Sequence, residues 1–153
     1  MNSTPLIVLS LIMVTAGVGI PVMAALNGGL GSRLDNPVQA ATVLFALALT
    51  LSIVVLLFQS KPIVLNVQAI PPQYFFGGFF VAFYILSVTF IAPLIGVGNA
   101  IVLVLLGQTL ASALIDHFGW FGAQQTPLTA TRAFGLVIIL TGISITRRAT
   151  GAL

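Results

Sequence analysis

Three polar residues, Gln108, Ser112 and Asp116, recur at every fourth position of an otherwise apolar stretch. In an α-helix this spacing places all three side chains on one face. A buried amide without a partner costs about 1–3 kcal/mol, so this face should contact protein or a wet cavity rather than lipid. Two roles remain open: the side chains bind a substrate, or Gln108 bonds a neighbouring backbone or its counterpart in a second copy.

Asp116 is the one acid that could lie within a bilayer, because the other acid, Asp35, falls in a loop. Its position near a helix C-terminus is unfavourable for a negative charge. Arg132 opens the next helix on the same side and is the predicted salt-bridge partner. Alternatively, Asp116 and His117 exchange protons with substrate or water. We therefore assign Asp116 and Arg132 to a coupling or gating group.

Further polar side chains interrupt the apolar stretches at comparable depth. An uncharged cavity needs a few such groups to orient a small molecule. The predicted substrate-binding residues are Gln108, Asn27, Tyr84, Ser112 and Asn99.

Several kinds of chemistry are excluded by what the sequence lacks. There is no cysteine and only one histidine, which removes disulfides, thiolate catalysis and the usual Cys or multi-His metal sites. We found no phosphate-binding glycine loop and no nucleophile triad. The five basic residues are spread along the chain, so no nucleic-acid surface is indicated. We expect a protein that is not an enzyme and has neither metal nor cofactor.

The composition indicates a chain whose solvent is lipid. Only 7 of 153 residues are Lys, Arg, Asp or Glu, and 59% are hydrophobic, whereas about a quarter of a soluble domain is charged. The mean hydropathy is +1.20. The sequence therefore predicts a multi-pass integral membrane protein.

Five apolar stretches approach the length of about 20 residues that a spanning helix needs. They lack the alternation of a membrane barrel, so the predicted fold class is an all-α bundle in a single transmembrane domain, residues 1–153. We expect the first stretch to be a mature helix, since no basic residue precedes it. The predicted helices cover about 5–30, 37–58, 72–91, 98–118 and 127–146.

Local signals mark the ends of these helices. Asn36-Pro37 and Thr126-Pro127 each place a capping side chain before a proline at the first helical position. Pro71-Pro72 is expected to begin the third helix. The connection 92–96 is so short that the third and fourth helices should be antiparallel neighbours. Within the first helix, Pro21 cannot donate a backbone hydrogen bond, which predicts a kink and adds Pro21 to the gating group.

The distribution of basic residues does not determine which way the chain is oriented across the membrane. Lys61 and Arg132 fall on one predicted side, and Arg33, Arg147 and Arg148 fall on the other. Since short-loop Lys and Arg set orientation, either the last pair fixes one topology or copies insert both ways. In the second case an antiparallel dimer would form a ten-helix bundle, as in transporters with inverted repeats.

Small residues recur at helical spacing and predict close helix packing. Ala24 and Gly28 are four apart, and Gly135 and Gly142 are seven apart on one face of the fifth helix. We expect Gly135 and Gly142 to lie at a dimer interface.

Several short segments of the chain form a distinctive set. They are Asn27-Gly-Gly-Leu-Gly31, Asn36-Pro37, Tyr74-Phe-Phe-Gly-Gly78, Ala92-Pro-Leu-Ile-Gly96, Gly107-Gln108 with Ser112, Asp116-His-Phe-Gly119, and Thr131-Arg-Ala-Phe-Gly135 with Gly142. In these segments the chain resembles the YdcZ-like family of small bacterial membrane proteins in the drug/metabolite transporter superfamily. The resemblance covers nearly the whole chain, and its most specific part is the run from Gly107 to Gly119. The last helix is also similar to that of small multidrug resistance transporters.

The resemblance implies a five-helix half-transporter of the bacterial inner membrane that acts as an inverted dimer, with family members described as exporters. The chain contains no Glu, so the proton-exchanging carboxylate of the multidrug branch has no counterpart in the first helix. The expected function is export of a small organic metabolite or drug-like compound by alternating access. The expected partners are the lipid bilayer, a small-molecule substrate, and a second copy or a related five-helix chain. The alternative is a non-transporting scaffold or accessory subunit.

Overall fold

The computed structural model describes residues 6–60, 68 and 70–149, and these residues form five α-helices. Short 3-10 helices precede the third α-helix and follow the fourth, at Pro72–Phe76 and Trp120–Gly122. The predicted all-helical fold is confirmed. The helices are α1 Leu6–Arg33, α2 Pro37–Leu57, α3 Gly77–Ile95, α4 Val97–Phe118 and α5 Ala130–Ala149.

Among the described residues, four helical segments are long and apolar enough to cross a membrane: α1, α2, the segment Pro72–Ile95 that includes α3, and α4. The apolar part of α5, Ala130–Thr146, is shorter than these four. The chain is therefore a multi-pass membrane protein, and the fifth span stays a prediction.

The first two helices are joined as the sequence predicts. The side chain of Asn36 accepts a hydrogen bond from the backbone N–H of Gln39 at 3.0 Å, and Pro37 occupies the first turn of α2. Such a cap satisfies one of the N–H groups that a helix start leaves open. The turn between α1 and α2 is therefore held by local hydrogen bonding.

Two later helix ends differ from the predicted positions. The third helix continues through Pro93 to Ile95, so the connection predicted at 92–96 shrinks to Gly96. Gly96 has a φ of +88°, which glycine adopts without strain. The fifth helix begins at Ala130 rather than near Pro127, because Thr129 supplies the cap: its hydroxyl accepts from the backbone N–H of Arg132 at 3.2 Å.

The chain divides into two compact units, with the boundary after Leu94. The single-domain organisation stays a prediction. In the first unit, α1 buries one face of its C-terminal half. A Cβ built at Gly31 would lie 3.2 Å from Cα of Pro37 and 3.5 Å from Cγ2 of Thr89. Because glycine has no Cβ, the three helices approach closely at this point.

The second unit contains α4, α5 and their connection. Gly119 ends α4 with a φ of 65°, and its N–H donates to the carbonyl of Ile115. This left-handed residue reverses the chain direction, as glycine commonly does after a helix. The connection therefore returns along the end of α4, where it can meet the side chains of the last helical turn.

Candidate functional site

Asn27 is the most buried of the predicted substrate-binding residues. It lies on the packed face of α1 and is 5% exposed, and Thr89 of α3 is 2% exposed. The side-chain amide of Asn27 donates through Nδ2 to the hydroxyl of Thr89. The Thr89 hydroxyl in turn donates to the carbonyl of Ile85 at 2.7 Å. The pair forms a polar junction between two apolar helices.

Donor and acceptor counting fixes the orientation of the Asn27 amide. A threonine hydroxyl has one proton, and that proton is used by the carbonyl of Ile85. The hydroxyl can then only accept from Asn27, which places the NH₂ group toward Thr89. The amide oxygen, Oδ1, accepts no hydrogen bond from the residues that the structure describes. Thr89 accepts one of the two N–H groups, so both the oxygen and the second N–H of the Asn27 amide are without a hydrogen bond to the residues that the structure describes.

A groove of about 420 Å³ lies between α1 and α2 and includes Asn27 in its wall. Four residues of α1 and five of α2 line it, and Asn27 is the one polar side chain among the described residues of that wall. The helices touch closely at Ala40 and Ala41, which are buried, and the groove begins two residues further along α2. The close contact at Ala40 and Ala41 therefore lies next to an apolar groove whose wall includes the amide of Asn27.

Tyr84 projects from α3 in the same unit. Its side chain is half-buried, and its hydroxyl oxygen is buried without a hydrogen-bond partner among the described residues. A buried hydroxyl in this condition costs free energy unless a water or a ligand pairs with it. The structure does not bring Tyr84 into the wall of the groove that contains Asn27.

The remaining substrate-binding candidates lie in the second unit, on α4. Gln108 and Ser112 are both exposed in the chain, and the Ser112 hydroxyl donates to the carbonyl of Thr109 at 3.1 Å. Asn99 is half-buried and donates to the carbonyl of Ile95 at 2.8 Å. Gln108 has no hydrogen-bond partner among the described residues. The predicted polar face of α4 is therefore present and uncovered.

The predicted salt bridge between Asp116 and Arg132 is confirmed. Both side chains are about a third exposed, at 35% and 30%. Arg132 also donates to the carbonyl of Thr126 at 3.0 Å, while the N–H of Thr126 donates to the backbone carbonyl of Asp116 at 2.8 Å. The pair fastens the connection to the end of α4, and its coupling or gating role stays a prediction.

His117 contributes to the same fastening. Its Nδ1 accepts a hydrogen bond from the N–H of Leu128 at 3.0 Å. Its carbonyl accepts from the side-chain amide of Gln125 at 3.2 Å. The imidazole therefore stabilises the connection before α5, and its exchange of protons together with Asp116 stays a prediction.

Three other predicted positions show no contact that would define a role. Pro21 lies within α1, which continues through it, and its gating role stays a prediction. A Cβ added at Gly135 or Gly142 would meet no atom within 4 Å. Gly135 is half-buried and Gly142 is exposed, and the dimer interface stays a prediction.

Sequence reasoning missed Thr89, the partner of Asn27. Threonines in apolar helices commonly bond the carbonyl four residues earlier and attract no notice. The amide of Asn27 does indicate that a polar partner should lie on a neighbouring helix, because a buried amide needs a hydrogen bond. Nothing in the sequence distinguishes Thr89 from the other hydroxyl residues as that partner.

A family model described as "Putative inner membrane exporter, YdcZ" matches residues 8–145 of the chain. No curated protein and no solved structure shows significant similarity to the chain. The matched region spans α2, α3 and α4 entirely and most of α1 and α5. This family is a class of membrane exporters rather than of enzymes. The sequence match and the apolar helices agree, and the chain belongs to the YdcZ family of inner membrane exporters.

Proposed function

We propose that the chain is one half of an exporter for a small organic metabolite or drug-like compound, working by alternating access in an inverted dimer. Family membership supports transport in general. The observation that carries the finer proposal is the groove between α1 and α2, with the amide of Asn27 in its wall.

The size and lining of this groove suit a small organic compound. Ligand pockets commonly measure about 300–1,000 Å³ and combine apolar walls with a few polar groups, and this groove has a volume of about 420 Å³. Asn27 provides the polar group and is held in place by Thr89. A packed junction at one end gives the groove a fixed geometry, which a binding site needs.

The exposed polar face of α4 supports the assembly of two chains. Gln108 and Ser112 would face lipid in an isolated chain. Hydrocarbon offers no hydrogen bonds, so an amide there is costly. A second copy or a wet cavity between copies removes this cost. Gly107 and Ala111 lie beside these two residues and are also exposed, so a second helix could approach closely.

The proposal assigns roles to the residues selected from the sequence. Asp116, Arg132 and Pro21 would gate or couple the transport cycle, and Gly135 and Gly142 would lie between copies. The proposed substrate contacts are Asn27, Tyr84, Asn99, Gln108 and Ser112.

Transport is tested with the purified chain in sealed liposomes. The liposomes are loaded with a mixture of uncharged and cationic aromatic compounds, and release is followed by mass spectrometry. We expect at least one compound to leave liposomes that contain the chain faster than it leaves loaded liposomes without the chain. The variant Ala48→Phe, which fills the groove, should lower this release, while Ala46→Phe, on the same helix outside the groove, should not. If the chain accelerates the release of no compound, the accessory-subunit alternative is favoured.

Inverted pairing is tested at the two ends of α2. The chain has no native cysteine, so Leu34→Cys and Ser60→Cys each give a single thiol beside one end of this helix. Intact cells are treated with a membrane-impermeant thiol reagent. Roughly half labelling at both positions supports mixed orientation. Labelling of only one position would mean a fixed orientation and would exclude the inverted homodimer.

A further inference from the structure

We propose that His117 is a pH-sensitive latch, which holds the connection before α5 while its imidazole is neutral and releases it when the imidazole gains a proton. The inference goes beyond export and does not depend on it, because it concerns one hydrogen bond within the second unit. Two observations carry it: the direction of the hydrogen bond between His117 and Leu128, and the absence of any other titratable group from the connection.

The direction of this hydrogen bond fixes the protonation state of the ring. The backbone N–H of Leu128 lies 3.0 Å from Nδ1 of His117, and a backbone N–H can only donate. Nδ1 therefore carries a lone pair, and the proton of the neutral imidazole is on Nε2. A protonated imidazole has an N–H at both nitrogens, so protonation sets two donors against each other. The hydrogen bond to Leu128 is then lost.

Leu128 lies at a point of the connection that depends on this hydrogen bond. Pro127, which precedes it, has no N–H to donate, and Thr129, which follows it, caps α5. The N–H of Leu128 donates to His117 and to no other acceptor among the described residues. The His117 hydrogen bond therefore ties the backbone just before α5 to the end of α4.

The imidazole is placed where it can exchange protons with water. His117 is half-buried and lies in the last turn of α4, at the end of a segment long and apolar enough to span a membrane. This end of a spanning helix lies near the boundary between membrane and water. Histidine is the side chain whose charge ordinarily changes between about pH 5 and pH 8. The latch therefore responds to the pH at one membrane surface.

The charged groups of the second unit leave this role to His117. On its own helix the neighbouring residue is Asp116, which forms a salt bridge with Arg132 of α5. The connection itself, residues 119–129, contains no titratable side chain. The other basic residues of α5 lie at its opposite end. His117 is thus the titratable group whose protonation directly changes the hydrogen bonding of Leu128.

The test measures the protection of the Leu128 amide against hydrogen exchange, in the full chain in phosphatidylcholine nanodiscs, at about pH 8 and about pH 5. Each rate is divided by the intrinsic exchange rate at that pH, because exchange is itself base-catalysed. We expect the protection of Leu128 to be about five- to tenfold lower at the lower pH, as the loss of one hydrogen bond predicts. The Thr126 amide, which donates to the backbone carbonyl of Asp116, is the internal reference and should change less than about twofold.

Two variants separate a latch from an imidazole that only fills space. His117→Asn keeps an oxygen acceptor near the position of Nδ1 and cannot titrate. It should hold Leu128 as the unmodified chain does at the higher pH, and should do so at both pH values. His117→Leu removes the acceptor and should leave Leu128 weakly protected at both. Circular dichroism checks that the helices are retained in each variant.

The inference is overturned if Leu128 is equally protected at both pH values in the unmodified chain. It is also overturned if His117→Asn keeps the pH dependence, because another group, such as Asp116, then titrates. An equal loss of protection at Thr126 would mean that acid loosens the whole connection, which overturns the inference as well. None of these outcomes bears on release from liposomes, so export is judged separately.

Discussion

Thr89→Val tests whether the junction between α1 and α3 depends on the polar pair. The substitution keeps the branched shape of the side chain and removes the hydroxyl that accepts from Asn27. It leaves the NH₂ group of Asn27 at a position where the residue is 5% exposed. The expected effect is therefore the loss of a buried hydrogen bond with no water to replace it.

The magnitude follows from this burial. Leaving a buried donor unpaired costs about 1–3 kcal/mol, while interhelical hydrogen bonds in membranes average about 0.6 kcal/mol and reach about 1.7 kcal/mol. We expect Thr89→Val to lower the free energy of unfolding by about 1–2 kcal/mol. Thr42→Val is the matched control. Thr42 is exposed and donates only to the carbonyl of Val38 in its own helix, so its loss should cost under about 0.5 kcal/mol.

The assay is a double-mutant cycle with Asn27→Leu and Thr89→Val. Unfolding is driven by adding SDS to the detergent-solubilised chain and followed by helical circular dichroism at constant protein concentration, because association changes apparent stability. Replacing both partners removes the need for a hydrogen bond. The double variant should therefore be more stable than the sum of the single losses predicts, by about 1 kcal/mol.

An additive cycle refutes this reasoning. If the coupling between Asn27 and Thr89 is below about 0.3 kcal/mol, the two residues do not stabilise the junction through a shared hydrogen bond. The position of the Asn27 amide in the wall of the groove would then not depend on Thr89. A loss of more than about 0.5 kcal/mol for Thr42→Val would instead mean that the assay responds to any removed hydroxyl.

Three further predictions concern other contacts. Gly31→Ala should lower the free energy of unfolding by about 1–3 kcal/mol, because the added Cβ would lie 3.2 Å from Cα of Pro37. Gly19→Ala is the matched control. Its Cβ would meet no atom within 4 Å, so the substitution should raise the free energy of unfolding by up to about 1 kcal/mol. Thermal unfolding measures both, and equal signs would contradict the close approach at Gly31. Arg132→Met removes one hydrogen bond to Thr126 in the connection before α5 and one to Asp116 in α4, and it should speed hydrogen exchange at the Thr126 amide about fivefold. Unchanged exchange would mean that Arg132 does not hold the connection. Gln108→Ala should lower the release of compounds from liposomes, while chemical crosslinking should still detect the dimer. If the crosslinked dimer is lost, Gln108 is a contact between helices instead of a substrate contact.

Much of the helical organisation could be predicted because it follows from short-range physics. Apolar stretches of about 20 residues must form helices in lipid, and Asn36-Pro37 satisfies the start of α2 from within the sequence. The start of α5 was harder, because Thr126 and Thr129 both offer a cap. The preference for Thr129 depends on the fold of the whole connection, in which Arg132 binds Thr126 and Asp116.

The candidate site could be predicted only in part. Asn27 was selectable because an amide in an apolar helix needs a partner, and the pairing of Asp116 with Arg132 follows from opposite charges at adjacent helix ends. The identity of Thr89 and the groove beside Asn27 depend on how three helices meet in space. That meeting is set by where glycine and alanine allow contact, and such residues are too frequent in membrane helices to indicate one arrangement.

Asn27 and Gln108 are two side-chain amides in apolar helices, and they differ in how their hydrogen bonds are satisfied. Asn27 donates one N–H to Thr89 of the same unit and lies in the wall of the groove between α1 and α2. Gln108 lies on an exposed face of α4 without a hydrogen-bond partner among the described residues. Lipid cannot satisfy Gln108. In the proposed inverted dimer, a second copy or a wet cavity between the copies would supply the missing hydrogen bond, which is why the Gln108→Ala variant is followed by both release and crosslinking.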